Sequence, residues 1–269
     1  MGRDSGNKTP DASEVRMTLQ ELDAVFQSYF KLQDYAKVDS SKNGLQVARS
    51  NREVSHVAFA VDAVQQTIER AAAIGADVLF THHGLFWGRE QTVTGAHYQR
   101  LRALIDADIA LYSVHLPLDA HLTLGNNAGM AAALGLAEIT PFGLIKGVPI
   151  GVSGRFTQPA SLPQVIDTLF RPKFEPLAVL DFGPKELATC GIISGGAPYE
   201  VDQAIELGLD LFITGDANHN VYHRCLEAEM NAIFAGHYAT EVWGVTLVAQ
   251  QLERDTKLKT SFIDFPTGL

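Results

Sequence analysis

Two cysteines in 269 residues, Cys190 and Cys225, are too few for a disulfide framework. One lies in an apolar strand pattern and the other in a helical pattern, so both are expected to be buried thiols in a reducing compartment, and a cytoplasmic location is expected. Basic charge is also scarce: 21 Lys and Arg stand against 31 Asp and Glu, for a formal net charge of -10. That excludes a protein that grips nucleic acid or an anionic membrane through bulk positive charge and leaves room only for a local basic pocket. No apolar run approaches the ~18 to 20 residues of a bilayer span. The opening "MGRDSGNKTPDASEVRM" lacks the apolar core of a signal peptide, and Gly6 stands where N-myristoylation needs Ser or Thr. Residues 1–17 are therefore expected to form a disordered leader. Dinucleotide and Walker patterns are missing too, so "IISGGAPYEV" (Ile192 to Val201) reads as a tight strand-to-helix turn and not as a phosphate loop.

What is present suits a well-packed α/β protein, with 46% hydrophobic and 19% charged residues. "TLQELDAVFQSYFKLQ" has helical spacing, and Thr18 with Glu21 predicts a capping box. "HVAFAVDA" predicts a strand, "VQQTIERAAAIG" a helix stopped by Gly75, and "DVLFTHH" a second strand, which together make a βαβ unit with a parallel sheet. "HYQRLRALIDAD" and "IALYSVH" continue as helix and strand. The second half then repeats the first. At an offset of 133, "AIGADVLFTHH" lies on "ELGLDLFITGD" and Val57 on Cys190; at 122, "IALYSVHLPLD" lies on "NAIFAGHYATE", setting His115 over His237 and Asp119 over Glu241. Between the halves, "FGLIKGVPIGVSGRFTQPASLPQVIDTLF" predicts two short glycine-punctuated strands and a helix from about Ser161. "PLAVLDFG" predicts another strand, "VWGVTLVAQQLERD" a helix and "KTSFIDF" a final strand. The expected division is 18–125 plus 236–269 as a first α/β domain carrying the site, and 126–235 as a second.

Open α/β sheets gather ligands at the C-terminal ends of their strands, and there the chain concentrates metal-type donors: His82 and His83, His115 and Asp119, His237 and Glu241. Neutral imidazoles and carboxylates suit zinc, iron, manganese or nickel, and so many groups would crowd one cation but fit two. A metal pair with bridging carboxylates brings a bound water to hydroxide near neutral pH. His237 and Glu241, four apart on a helix, would face the same way; Pro117 argues against a full helical turn between His115 and Asp119. Adjacent histidines on an extended strand point to opposite faces, so His82 and His83 meet only if the chain bends near Gly84. His115 is the open case, a ligand by the repeat, or a group beside the metals that positions substrate or shuttles a proton.

Other features take the plainer reading. His56, His97 and His121 are expected to be surface or satisfied core residues. His219 and His223 have a zinc-like spacing but no carboxylate with them, and are expected on an exposed helix face. "KNGLQV" reads as an Asn-Gly turn entering a strand.

The segments "DYAKVDSSKNGLQV", "GADVLFTHHGLFWG", "LYSVHLPLDAHLTLGNNAGMAAALG", "DLFITGD" and "AGHYATEVWGV" resemble, in order and from about Leu19 to Phe265, the Nif-three-like family of dimetal proteins commonly named GTP cyclohydrolase 1 type 2 homologues. The chain is similar to the short bacterial form, with one departure, Tyr238, where close relatives often carry a second histidine. The resemblance implies two similar, interlocked α/β domains with a metal site at their interface, two divalent ions per subunit and a toroidal homohexamer. It puts the family's metal ligands on His82, His83, Asp119, His237 and Glu241, and sets His115 beside the site. The expected function is a metal-dependent hydrolase acting on a nucleotide-like or other small polar substrate. Metal delivery or homeostasis without turnover, and an interaction scaffold with structural metals, are the alternatives.

Overall fold

A computed structural model describes residues 15–50 and 53–269. Most of the expected leader lies outside the described residues. Its last part is not loose, because Met17 pairs with Val54 in an antiparallel bridge through hydrogen bonds of 3.0 and 2.6 Å.

In chain order the elements are α1 (Leu19–Tyr29), β1 (Gly44–Val47), β2 (His56–Asp62), α2 (Gln65–Ala73), β3 (Val78–His83), α3 (Gly95–Asp106), β4 (Ala110–Ser113), α4 (Leu116–Asp119) and α5 (Asn126–Ala133). Then come β5 (Leu136–Ile145), β6 (Val148–Ala160), α6 (Leu162–Leu169), β7 (Ala178–Leu180), β8 (Leu187–Ile193), α7 (Val201–Glu206), β9 (Leu211–Thr214), α8 (Tyr222–Glu227), β10 (Asn231–Phe234), α9 (His237–Thr256) and β11 (Lys259–Phe262). The expected capping box opens α1: the Glu21 amide donates to the Thr18 hydroxyl at 3.2 Å, and the Thr18 amide to the Glu21 carboxylate at 2.7 Å.

Two sheets form, ordered β1-β4-β3-β2-β11 and β5-β6-β8-β9-β10-β7. In the first, β11, β2, β3 and β4 are parallel and β1 closes the edge antiparallel. In the second only β8, β9 and β10 are parallel. The two expected short strands are instead a long hairpin, β5 and β6, turned at Lys146 and Gly147, both with positive φ, and laid antiparallel against β8. Its glycines do not interrupt the strands: a Cβ on Gly151 would come within 2.3 Å of the Ile192 carbonyl oxygen, so glycine here permits close strand approach.

The repeat is visible as register. Val57 pairs with Val78 as Cys190 pairs with Leu211, which keeps the 133-residue offset. One strand later the motif alignment is corrected by one residue. The Thr81 carbonyl accepts from the Val114 amide and the Thr214 carbonyl from the Ala235 amide, so Val114 and Ala235, 121 apart, are the true equivalents. His115 therefore corresponds to Gly236, each of which immediately precedes a helix, and His237 to Leu116.

Helix α9 joins the two cores. Its Val245, Val248 and Leu252 enter the cluster of Phe26, Phe59 and Phe80 on the first sheet, while Ala239 enters the cluster of Ile192, Ile213 and Ile233 on the second. Each fully buried aliphatic side chain contributes about 1.5 to 3 kcal/mol. The other face of the first sheet is covered by α2 and α3 through Ile68, Ala71 and Leu104, which explains why β2 and β3 read as continuous apolar runs.

Candidate metal centre

Three elements deliver the donors. β3 ends in His82 and His83, α4 ends in Asp119, and α9 begins with His237 and presents Glu241 one turn later. The expectation that Pro117 forbids a helical turn is corrected. Pro117 sits in the first turn of α4, where its missing N–H would have had no partner inside the helix, and Asp119 donates its amide to the His115 carbonyl at 3.2 Å.

Glu241, 2% exposed, is the centre of the arrangement. Its Oε1 lies 3.3 Å from His82 Nε2 and 3.1 Å from His237 Nε2, and its Oε2 lies 3.4 Å from His83 Nε2. Asp119 Oδ2 is 3.5 Å from His82 Nε2. The rings of His82 and His83 approach to 4.6 Å between centroids although both residues belong to one strand. His115 joins from the side, its ring 5.1 Å from that of His82 and 5.6 Å from that of His83. All six expected donors fall in three overlapping groups, His82–His83–His115, His83–His237–Glu241 and His82–Asp119–Glu241, in each of which the ligand atoms lie within 4.8 Å of one another.

Every histidine is aimed by a bond on its other nitrogen. His82 Nδ1 meets the Val114 carbonyl at 3.0 Å, and His83, His115 and His237 Nδ1 meet Asp62, Asp39 and Asp216, each at 2.9 Å. Such acceptors take the Nδ1 proton and turn the Nε2 lone pair inward. Asp119 is held likewise: Asn126 Nδ2 at 2.8 Å and Ser194 Oγ at 2.7 Å both donate to Oδ1, leaving Oδ2 to face His82. The turn after β8 closes the floor. Gly195 has φ +65°, and a Cβ there would stand 2.4 Å from Glu241 Oε1, so only glycine fits.

These partners were missed in the sequence, though a signal existed. Asp62 precedes His83, and Asp216 precedes His237, by 21 residues. Each pair places a carboxylate at one strand end and an imidazole at the next. Asn43, read as half of a turn, accepts the His115 amide at 2.7 Å and donates to Asp39 at 2.8 Å. The plainer histidines behave as expected except His97, whose buried Nε2 has no hydrogen-bond partner. His56 is bonded to Ser261 and His121 to the Tyr29 carbonyl, His97 is buried against Phe86, and His219 and His223 are exposed.

The electrostatics are those of a centre that attracts positive charge. Burial opposes a charge on His82, yet the Asp119 and Glu241 carboxylates outweigh it and push its pKa up to about 10. Burial likewise opposes charge on His237, and Glu241 with Asp216 overcomes it to reach about 9. Burial would raise Glu241, but His83 and His82 hold it well below the usual carboxylate range. Even so, His82 Nε2 and Glu241 Oε2 are buried without a hydrogen-bond partner. A buried ring nitrogen and a buried carboxylate oxygen left without a hydrogen bond are costly, and a divalent cation that displaces the imidazole proton satisfies both. The nitrogen-and-oxygen donor set fits a borderline metal such as zinc, iron, manganese or nickel. Among the described residues no helix is long and apolar enough to cross a membrane.

Comparison with known proteins gives the chain a family. A Treponema pallidum protein named GTP cyclohydrolase 1 type 2 homolog is 44% identical over 286 residues, covering 94% of this chain and 100% of the relative. A crystal structure from Thermus thermophilus superposes with a TM-score of 0.85 at 39% identity, covering 94% of this chain and 100% of that one. A structure described as protein ybgI, of unknown function, gives 0.84 at 34% identity with the same coverage. The model of the family Duf34/NIF3 (NGG1p interacting factor 3) matches residues 17–267, and the chain belongs to that family.

Proposed function

We propose that His82, His83, Asp119, His237 and Glu241 hold two divalent cations and that the protein is a metal-dependent hydrolase of a nucleotide-like or other small polar substrate. The observation that carries the reading is the pairing of inward-facing donors that lack a partner, His82 Nε2 and Glu241 Oε2, with outward bonds that fix every ring. Glu241 stands between the sites, one oxygen toward His82 and His237 and the other toward His83. When bound, two such cations supply Lewis acidity and a nucleophilic water near neutral pH. His115, with Nδ1 bonded to buried Asp39, keeps Nε2 toward the centre and is placed to hold or move a proton there. The name shared by curated relatives 40 to 44% identical to the chain, GTP cyclohydrolase 1 type 2 homolog, makes purine nucleotides the first substrates to try.

Elemental analysis after dialysis is expected to give about two divalent ions per chain and about one or fewer in His82→Ala. The loaded protein is expected to turn over a member of a nucleotide and phosphoester panel, and His82→Ala to abolish it. Full metal content without metal-dependent turnover would overturn the hydrolase and leave metal binding standing. A homo-oligomer, specifically a hexameric ring, belongs to the same proposal through family likeness, and light scattering tests it.

A further inference from the structure

A cleft of ≈ 680 Å³ is lined by Asp39, Ser40, Lys42, Trp87, Gly88 and Arg89 among others, of which Asp39 and Trp87 also contact His115, and it shares Lys42, Gly88 and Arg89 with a second hollow of ≈ 440 Å³. Its size is that of a small-molecule site. Its walls are tied together. The Lys42 amide donates to the Phe86 carbonyl at 3.0 Å, and Gly88, with φ +78°, comes so near Ser40 that a Cβ would meet its carbonyl oxygen at 3.0 Å.

Trp87 forms the inner wall. Its Nε1 donates to the Gly84 carbonyl at 3.0 Å, which fixes the ring, and the indole stands 5.0 Å from the His115 ring and 5.9 Å from that of His83. The outer wall is cationic in a chain of net charge -10. Lys42 and Arg89 are exposed, and among the described residues no carboxylate lies within ion-pairing distance of either. Asp39 lines the same cleft but is spent inward: Oδ1 accepts from Ser41 and bonds His115, and Oδ2 accepts from Asn43 and Leu116. Glu90 is set on the second hollow and not on the first.

We propose that this cleft binds a small phosphorylated molecule carrying a flat ring, with Lys42 and Arg89 holding the phosphate and Trp87 facing the ring beside His83 and His115. Two cations match a phosphate dianion, and a guanidinium fits its oxygens through paired N–H groups. An indole face takes planar heterocycles of many kinds. Two cations are too few for a polyanion, which sets the ligand as a small molecule and not a nucleic acid. The inference deepens the hydrolase reading by giving its substrate a seat and relies on that reading for the chemistry, but binding itself is separable.

The test uses chelator-stripped protein carrying Trp243→Phe, so that Trp87 is the one indole left. Trp243 Nε1 is buried without a partner, so phenylalanine removes no hydrogen bond. Adenosine monophosphate is expected to change the emission saturably, with adenosine about tenfold weaker or worse. The double variant Lys42→Ala/Arg89→Ala, at two exposed positions, is expected to weaken adenosine monophosphate by about tenfold or more. Absence of a saturable change with adenosine monophosphate, or an unaltered midpoint in the double variant, would overturn the cleft. Because no metal is present, neither result depends on whether the metal centre is catalytic.

Discussion

Replacing Glu241 by glutamine keeps the side chain's volume and removes its charge from the middle of three imidazoles, whose nitrogens stand 3.1 to 3.4 Å from its oxygens. In metal-stripped wild type at pH 6, His82 and His237 are protonated, since their pKa values are raised to about 10 and about 9, and Glu241 is ionised. Loss of the carboxylate then leaves His82 with Asp119 alone and His237 with Asp216 alone to offset the burial of their charge, which costs up to about 3 to 5 kcal/mol. The sign with pH follows from linkage. A histidine whose folded pKa is raised contributes stability that is complete below its unfolded value of about 6.5 and vanishes as pH climbs through the folded value. Glu241, lowered in the fold, contributes at every pH above its unfolded value of about 4.3, so it stays charged throughout this window. The difference between wild type and Glu241→Gln is therefore expected to be full near pH 6. It should shrink between about pH 6.5 and 10 to the ~1 kcal/mol of an ordinary hydrogen bond. Urea unfolding in the presence of chelator, with refolding checked, measures it at pH 6 and pH 10. A difference that stays constant, or grows toward pH 10, would refute the account of a carboxylate holding two imidazoliums.

Further outcomes follow from the same contacts. Metal binding at pH 7 should expel the protons held on His82 and His237, about two per chain, seen as a calorimetric enthalpy that varies with the ionisation enthalpy of the buffer; affinity should fall as pH drops. Asp216→Asn and Asp62→Asn each loosen the hold on a ligand ring and should weaken metal binding by ~10 to 100-fold, read by competition with a chromophoric chelator. Gly195→Ala forces a side chain toward Glu241 Oε1 from a left-handed backbone, and should lower metal content without unfolding the chain; retention of full metal content would refute the steric argument.

Much of the site was legible because its donors sit where strand ends must meet. The strand ending in His82 and His83 and the 133-residue repeat both appear in the sheet register. The mixed second sheet was not legible, because the glycines of β6 look like breaks until the neighbouring strand that needs their bare backbone is in place. Nor was the one-residue slip after β4 and β10. Two His-x-x-x-carboxylate motifs align best on each other, whereas backbone hydrogen bonds from Thr81 and Thr214 set the equivalence at Val114 and Ala235. The slip has a consequence. On a helix one residue is about 100° of rotation, so His115 stands just before α4 while His237 is the first residue within α9, and the two pairs cannot take equivalent positions about one centre. The first half's carboxylate, Asp119, has one oxygen claimed by Asn126 and Ser194 and offers the other to His82 alone. The second half's, Glu241, keeps both oxygens free of such donors and reaches three histidines. The two similar halves thus meet in an asymmetric cluster, with one carboxylate held at the side and one among three histidines. That asymmetry ties the first half's histidine pair to a helix residue 158 positions further along the chain, counted from His83 to Glu241.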